Sequence, residues 1–318
     1  MLPKSRIFSV LLLGLGVALM AAGIAAPKFL SFEPRIPLDL QHTTWTLHDD
    51  SAKSQVVTGE GTSPYEGPMT YQLNMDIQDP SDKEQATLRI GESAMRGDSG
   101  KVEDLSMARV WSYSMDRLSG DALGDASLTH TLGSPTAQVT VDGVWLKFPA
   151  ATEQTTYPVF DPYLRKAADA VFEEEMEIEG RTVYRFHQEV EPTNLATLYP
   201  GQTTTTLHNE DESTEQGYLF HKATRDFYVD QVTGMVVGTD VAIDDYWGDR
   251  SGVGRETQFM FEGKTSDEDR AAFLAQAAEF PKPAFATMVR WAVLGLGAVL
   301  TLIGLAGALG AFQKRRRK

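Results

Sequence analysis

Hydrophobic positions fall into two regimes along the chain. Residues 7–26 run through Ile, Leu, Val, Ala, Gly, Met and Phe with Ser9 as the only polar side chain, and residues 291–312 carry no charge at all. At about 1.5 Å per helical residue, each run is long enough to cross a hydrocarbon core of roughly 30 Å, so both are expected as membrane-spanning helices. The first run also contains a small-residue cleavage pattern, Gly23-Ile24-Ala25 followed by Ala26 and Pro27. It therefore reads as a retained anchor or as a signal segment, and its length, beyond the roughly 7 to 15 residues of a signal core, favours the anchor.

Between the runs the period changes to two. Tyr71, Leu73, Met75 and Ile77 alternate with Gln72, Asn74 and Asp76, and Trp111, Tyr113 and Met115 alternate with Val110, Ser112 and Ser114. Such alternation predicts strands with one buried face. Asp142-Gly143 between Val139, Val141 and Val144, Leu146, Phe148 predicts a hairpin, because Asp-Gly readily takes the positive φ of a tight turn. Glu179-Gly180 and Thr233-Gly234 are further turn signals of this kind.

Helical signals are fewer. Asp161-Pro162 reads as an N-cap with proline at the first helical position, and Leu164, Ala168, Val171 and Phe172 then share a face. Ser266 with Asp269 approximates a capping box that opens a helix to about Phe280, closed by Pro281 and Pro283. No linker or internal repeat divides the centre. The expected fold is a membrane-anchored α+β protein: a β-rich antiparallel domain, curved or barrel-like, with a few helices between two transmembrane helices. The expected segments are 1–6 cytoplasmic, 7–26 spanning, 27–287 extracytoplasmic, 288–312 spanning and 313–318 a basic cytoplasmic tail.

Charge adds an orientation. The formal net charge is -15, yet residues 1–26 and 313–318 hold seven Lys/Arg and no acid, so all 44 acidic residues lie in the remainder. Lys4, Arg6, Lys314, Arg315, Arg316, Arg317 and Lys318 are the membrane-orienting residues under positive-inside logic, which keeps both termini in the cytoplasm and sends the acidic centre outward. A nucleic-acid patch is the rival reading of the terminal cations. Their place directly after a span argues against it, and no nucleic-acid partner is expected. The chain has no cysteine, which fits a bacterial envelope protein and excludes thiol catalysis and thiolate metal sites.

Other chemistry is sparse. Gly97-Asp98-Ser99-Gly100 resembles a serine-protease neighbourhood but reads as an ordinary turn. The six histidines lack any HExxH or other close ligand spacing. Acidic groups at 173–177, at 210–212 and at Asp240, Asp244, Asp245 and Asp249 offer oxygen ligands to calcium, without the EF-hand spacing, and read as solvated surface. No enzyme activity, cofactor or metal is expected. Small residues recur at Gly14, Ala18, Ala22 and Ala26, at Gly304/Ala308 and at Gly307/Ala311, so the spans are expected to pack closely, with one another or in a homo-oligomer.

Two resemblances follow from these residues. The two-span plan with Phe148-Pro149, Tyr157-Pro-Val-Phe-Asp161, Glu179-Gly180, Tyr184-Arg-Phe186, Tyr228-Val-Asp230 and Thr233-Gly234 resembles the actinobacterial PorA-like envelope family over nearly the whole chain. The order of Phe148-Pro149, Tyr157, Phe160-Asp161, Glu179-Gly180 and Val183-Tyr-Arg-Phe186 is more distantly similar to class B scavenger receptors, two-span proteins with a lipid-accepting tunnel. The second resemblance implies a ligand-binding set of Phe148, Tyr157, Phe160, Tyr163, Phe172, Tyr184 and Phe186, aromatics that either line a pocket or fill a core. The expectation is a non-enzymatic plasma-membrane protein that binds or transfers an envelope lipid or glycolipid, with an anchored assembly protein in a cell-envelope complex as the alternative. An envelope acyltransferase or hydrolase and a porin rank below these, the porin because helical spans differ from an outer-membrane barrel.

Overall fold

The computed structural model describes residues 4–29, 33–58, 61–97, 99–130, 135–280 and 283–309. It divides into two units, residues 1–34 with 281–318, and residues 35–280. The basic tail at 314–318 and Ala311 lie outside the described residues.

The first unit is a helical hairpin of α1 (Lys4–Phe29) and α3 (Pro283–Ala308). Ile7–Ala26 and Thr287–Ala308 are long and apolar enough to cross a membrane. On α1 the small residues that join the helices differ from the expected stripe, whereas on α3 Gly304 and Gly307 belong to the expected pairs. Gly14, Ala18 and Ala22 are exposed, whereas Ser9, Gly16 and Gly23 on α1 and Gly297, Gly304 and Gly307 on α3 are buried. A Cβ on Gly16 would stand 2.5 Å from the Thr301 nitrogen, and one on Gly304 would stand 2.4 Å from that of Leu13. Ser9, Leu13, Gly16, Met20 and Gly23 thus form a seam spaced four and three apart, the period of two helices packed along their length. Arg290 Nε donates to the Gly23 carbonyl at 3.1 Å, so the late part of α1 meets the early part of α3 and the pair is antiparallel.

The second unit is an open antiparallel sheet. Its strands are β1 (Thr44–Thr58), β2 (Gly61–Gln78), β3 (Gln85–Arg96), β4 (Leu105–Asp116), β5 (Asp125–Thr129), β6 (Ala137–Thr140), β7 (Tyr157–Asp161), β8 (Lys166–Ile178), β9 (Arg181–Asn194), β10 (Thr204–His208), β11 (Thr214–Asp230), β12 (Val236–Gly248) and β13 (Gly254–Lys264). The spatial order is β6-β5-β4-β3-β2-β1-β13-β12-β11-β9-β8-β7, with β10 beside β11. The sheet curls, because Trp111 of β4 and Phe160 of β7, near opposite ends of that order, meet edge to face at 5.6 Å.

Helix α2 (Asp267–Ala278) opens on Ser266, whose hydroxyl accepts from the Asp269 amide, as the capping pattern predicts. Its Phe273 stacks on Trp45 at 4.8 Å. Gln276 Oε1 accepts from the amides of Gln41 and His42, each at 2.8 Å, which ties the start of the unit to its end.

The Glu179-Gly180 turn joins β8 to β9 with φ of 51° and 71°, and Thr233-Gly234 turns between β11 and β12, as expected. The Asp142-Gly143 turn does not close a hairpin. Gly143 has φ 72°, and a Cβ there would lie 2.2 Å from the Pro158 carbonyl oxygen, so glycine serves the close approach of β7. Beyond it, Val144 forms a parallel bridge with Val159. The segment then crosses the curled face, with Trp145 stacked on Tyr113 and Phe148 stacked on Phe186.

The helix expected from Asp161 is likewise absent. Asp161 Oδ1 accepts from the amides of Tyr163 and Leu164, each at 2.7 Å, the same contact that caps a helix. Arg165 then adopts φ 56°, ending the turn after one winding, and β8 begins at Lys166. The apolar Leu164, Ala168 and Phe172 belong to a turn and a strand.

Phe186 is fully buried and contacts Phe148, Tyr157, Phe172 and Tyr184. Phe186→Ala is expected to cost about 3–5 kcal/mol of stability, measured by denaturant unfolding of the detergent-solubilised full-length protein; a loss below 1 kcal/mol would mean that this cluster is not tightly packed.

Candidate functional site

The aromatic residues singled out from the sequence occupy three places. Phe148, Tyr157, Phe172, Tyr184 and Phe186 form one ring cluster with successive centroids 5.0–5.9 Å apart. Phe160 packs with Trp111 and Trp145 and borders a small, mostly apolar cavity of about 30 Å³ that Arg225 and Thr239 also line. Tyr163 stands apart from both groups and lines a polar pocket of about 300 Å³ with Arg109, His130, Arg165, Tyr199 and Thr203.

Behind that pocket lies a buried ionic network absent from the sequence expectations, in which Asp245, expected on the solvated surface, is instead buried and reaches the pocket wall. Asp161 Oδ2 accepts from Arg225 Nη1 at 2.5 Å and lies 3.3 Å from His221 Nε2. The other ring nitrogen of His221 is 2.5 Å from Asp245 Oδ1. Tyr163 stacks flat on the imidazole at 4.5 Å, and the Arg109 guanidinium lies 3.9 Å from the centre of the same tyrosine ring. Arg109 also pairs at 3.5 Å with Glu92, which accepts the Tyr71 hydroxyl at 2.6 Å.

Burial disfavours a charged His221, but Asp245 and Asp161 outweigh it and push its pKa up to about 9. Burial also opposes ionisation of Asp161, yet Arg225, His221 and the amide donors hold it well below the carboxylate range. Asp245 moves upward through burial, with His221 pulling the other way. At neutral pH His221 is an imidazolium with both N–H groups committed to carboxylates, so it has no lone pair with which to act as a general base.

A sequence signal for this network exists in strand parity. His221 and Arg225 share the inward face of β11 with Ala223 and Phe227; Asp245 follows Val241 and Ile243 on β12; Arg109 precedes Trp111 and Tyr113 on β4; Glu92 follows Leu88 and Ile90 on β3. Charged residues at inward positions of several strands must meet one another, because an unpaired buried charge is prohibitively costly.

The acidic groups are mostly exposed. Glu173, His187 and Asp226 place ligand atoms within 4.8 Å of one another. Arg185 already bridges Glu173 and Asp226, each at 3.2 Å, and supplies the positive charge there. Ser99 donates to Asp104 within an exposed turn; Asp98 lies outside the described residues.

Against known proteins, the model of the family described as "Porin PorA" matches residues 8–306. This chain belongs to the PorA family. A protein of Corynebacterium resistens named "Porin PorA" is 27% identical over 222 residues, which is 60% of this chain and 54% of the relative. Another of that name, from Corynebacterium amycolatum, is 24% identical over 219 residues, 63% of this chain and 56% of the relative. The chain spans about half the length of these curated PorA relatives. PorA membership supports a membrane or envelope location, in keeping with the two apolar helices. It overturns the expectation of lipid transfer and the low rank given to a porin, since both the family and its named relatives are described as porins. The likeness to scavenger receptors gains no support from them.

His221 gives the fold a pH dependence. With a folded pKa of about 9 against an ordinary 6.5, its contribution to stability is complete below about 6.5 and is lost as pH rises through 9. Buried Lys147, lowered by burial from 10.5 to about 7, acts in the opposite sense over an overlapping range, adding stability as pH rises from about 7 to 10.5. Comparing the wild type with Asp245→Asn cancels the lysine. The thermal midpoint of the variant relative to wild type is expected to be lowest near pH 6 and to recover towards pH 9.5; a constant difference across that range would show that Asp245 does not hold the His221 proton.

Proposed function

We propose that this protein is a non-enzymatic, channel-forming component of the cell envelope that serves solute passage through its membrane helices. The observation that carries the reading is the PorA family match across 8–306, which takes in most of both helices and the whole sheet unit between them. The helical hairpin adds a constraint. Its seam is closed by backbone contacts at Gly16, Gly297 and Gly304, leaving no lumen between α1 and α3, so a pore has to be lined by several copies. Exposed Gly14, Ala18 and Ala22 leave a second surface of α1 on which another helix can approach closely.

In this reading the protein sits in the bacterial plasma membrane with Lys4, Arg6 and the cations at 314–318 in the cytoplasm, and the acidic sheet unit lies outside. The sign of the net charge outside the helices then favours cations at the pore mouth.

Two measurements test this. Purified full-length protein in planar bilayers is expected to give discrete, cation-selective conductance steps; inserted protein without conductance would overturn the channel. Because the native chain has no cysteine, Val102→Cys, at an exposed position, is expected to react with a membrane-impermeant maleimide on intact cells, whereas a cysteine appended after Lys318 stays protected. The reverse labelling pattern would invert the topology.

A further inference from the structure

The fixed charges around the polar pocket do not cancel. Asp161 and Asp245 are matched by His221 and Arg225, and Glu92 is matched by Arg109. Burial and the neighbouring Arg165 and Arg109 lower the pKa of His130 below its ordinary value, which disfavours a charge there. Arg165 remains. Among the described residues no carboxylate lies within ion-pair distance of it; its guanidinium rests 3.7 Å over the Tyr199 ring and reaches His130 Nε2 at 3.5 Å. Burial and Arg109 both disfavour its charge there. Its backbone sits at φ 56°, a conformation that L side chains other than Asn and Asp adopt sparingly, yet the position holds a long cation directed at a pocket. The surrounding unit is strongly acidic, so a half-buried arginine with no carboxylate partner among the described residues is conspicuous.

We propose that this pocket is a binding site for a small hydrophilic solute bearing a phosphate or carboxylate group, with Arg165 as its principal anchor. A planar guanidinium recognises such oxyanions through paired N–H donors, and its orientation is fixed by the Tyr199 face. The pocket volume of about 300 Å³ suits a metabolite-sized ligand, and the Thr203 hydroxyl adds a neutral donor near the charged group, while the Tyr199 hydroxyl is committed to the Tyr163 carbonyl at 2.7 Å. Arg109, pinned between Glu92 and the Tyr163 ring, also lines the pocket, as does Asp245, and each of these charges is met by its own partner, Glu92 or His221, which leaves Arg165 as the unmatched one. This site goes beyond the channel reading and stands without it, since it lies wholly within the sheet unit.

The test is calorimetric titration of the full-length protein in detergent with inorganic phosphate and, separately, with succinate, at constant ionic strength in chloride. Saturable binding of at least one is expected, with the preferred probe identifying the ligand class. Arg165→Asn keeps a residue that tolerates positive φ and is expected to weaken that binding at least tenfold, while Arg165→Lys retains part of it. Ser106→Phe, on the pocket lining, is expected to block binding with every charge left in place. Failure of both probes to saturate the wild-type protein, or equal affinity in a folded Arg165→Asn variant, overturns the site; should Arg165→Asn fail to fold, undiminished binding by Ser106→Phe overturns it. Conductance is read separately, so a protein that binds without conducting refutes the channel and leaves the site intact.

Discussion

Asp161 is a carboxylate with no access to water, and the closure of the sheet unit depends on how its charge is met. One oxygen accepts two amides of the β7–β8 turn, and the other accepts Arg225 from β11. A buried ion of this kind is tolerable only with nearly all its lone pairs occupied, and each partner comes from an element that must already be in place. The contact therefore couples local turn geometry to the position of the curled sheet. His221 extends the coupling to β12 through Asp245, and the stacked Tyr163 extends it to Arg109 on β4. Strands from both sides of the sheet are in this way held to one turn, and the polar pocket is the opening left where they converge.

The same residues show what a sequence reveals and what it conceals. Alternation identified β2 and β4 because one face of each is dry, and the capping box of α2 was legible because Ser266 and Asp269 act within a single turn. Asp161-Pro162 misled for a definite reason: the carboxylate does cap the following amides, and the difference between a helix and a hairpin turn rests on the left-handed Arg165, a conformation that no side chain announces. At Asp142-Gly143 the positive φ was foreseeable and its purpose was not, because the glycine accommodates a distant carbonyl. The candidate pocket was half legible. Tyr163 appeared in the aromatic set, but Arg109, Arg165, His221 and Asp245 come together only through strand pairings that depend on order in the sheet.

The helical unit carries a parallel lesson about small residues. A fourfold repeat of Gly and Ala suggests a packing stripe, yet the face that packs on α3 follows the alternating steps of four and three through Ser9, Leu13, Gly16, Met20 and Gly23. The repeat that is easiest to see falls on the exposed side. Close backbone approach, rather than the number of small side chains, decides which face is used.

The clamp made by Gln276 on the amides of Gln41 and His42 brings the two ends of the sheet unit within the reach of one side chain. Topologically the unit is a cassette: a long excursion of chain that begins and finishes at almost the same point. An insertion with this property imposes little end-to-end separation on what flanks it, so the flanking helices need not move apart to accommodate it. A short bridge in place of the whole cassette would span the same distance.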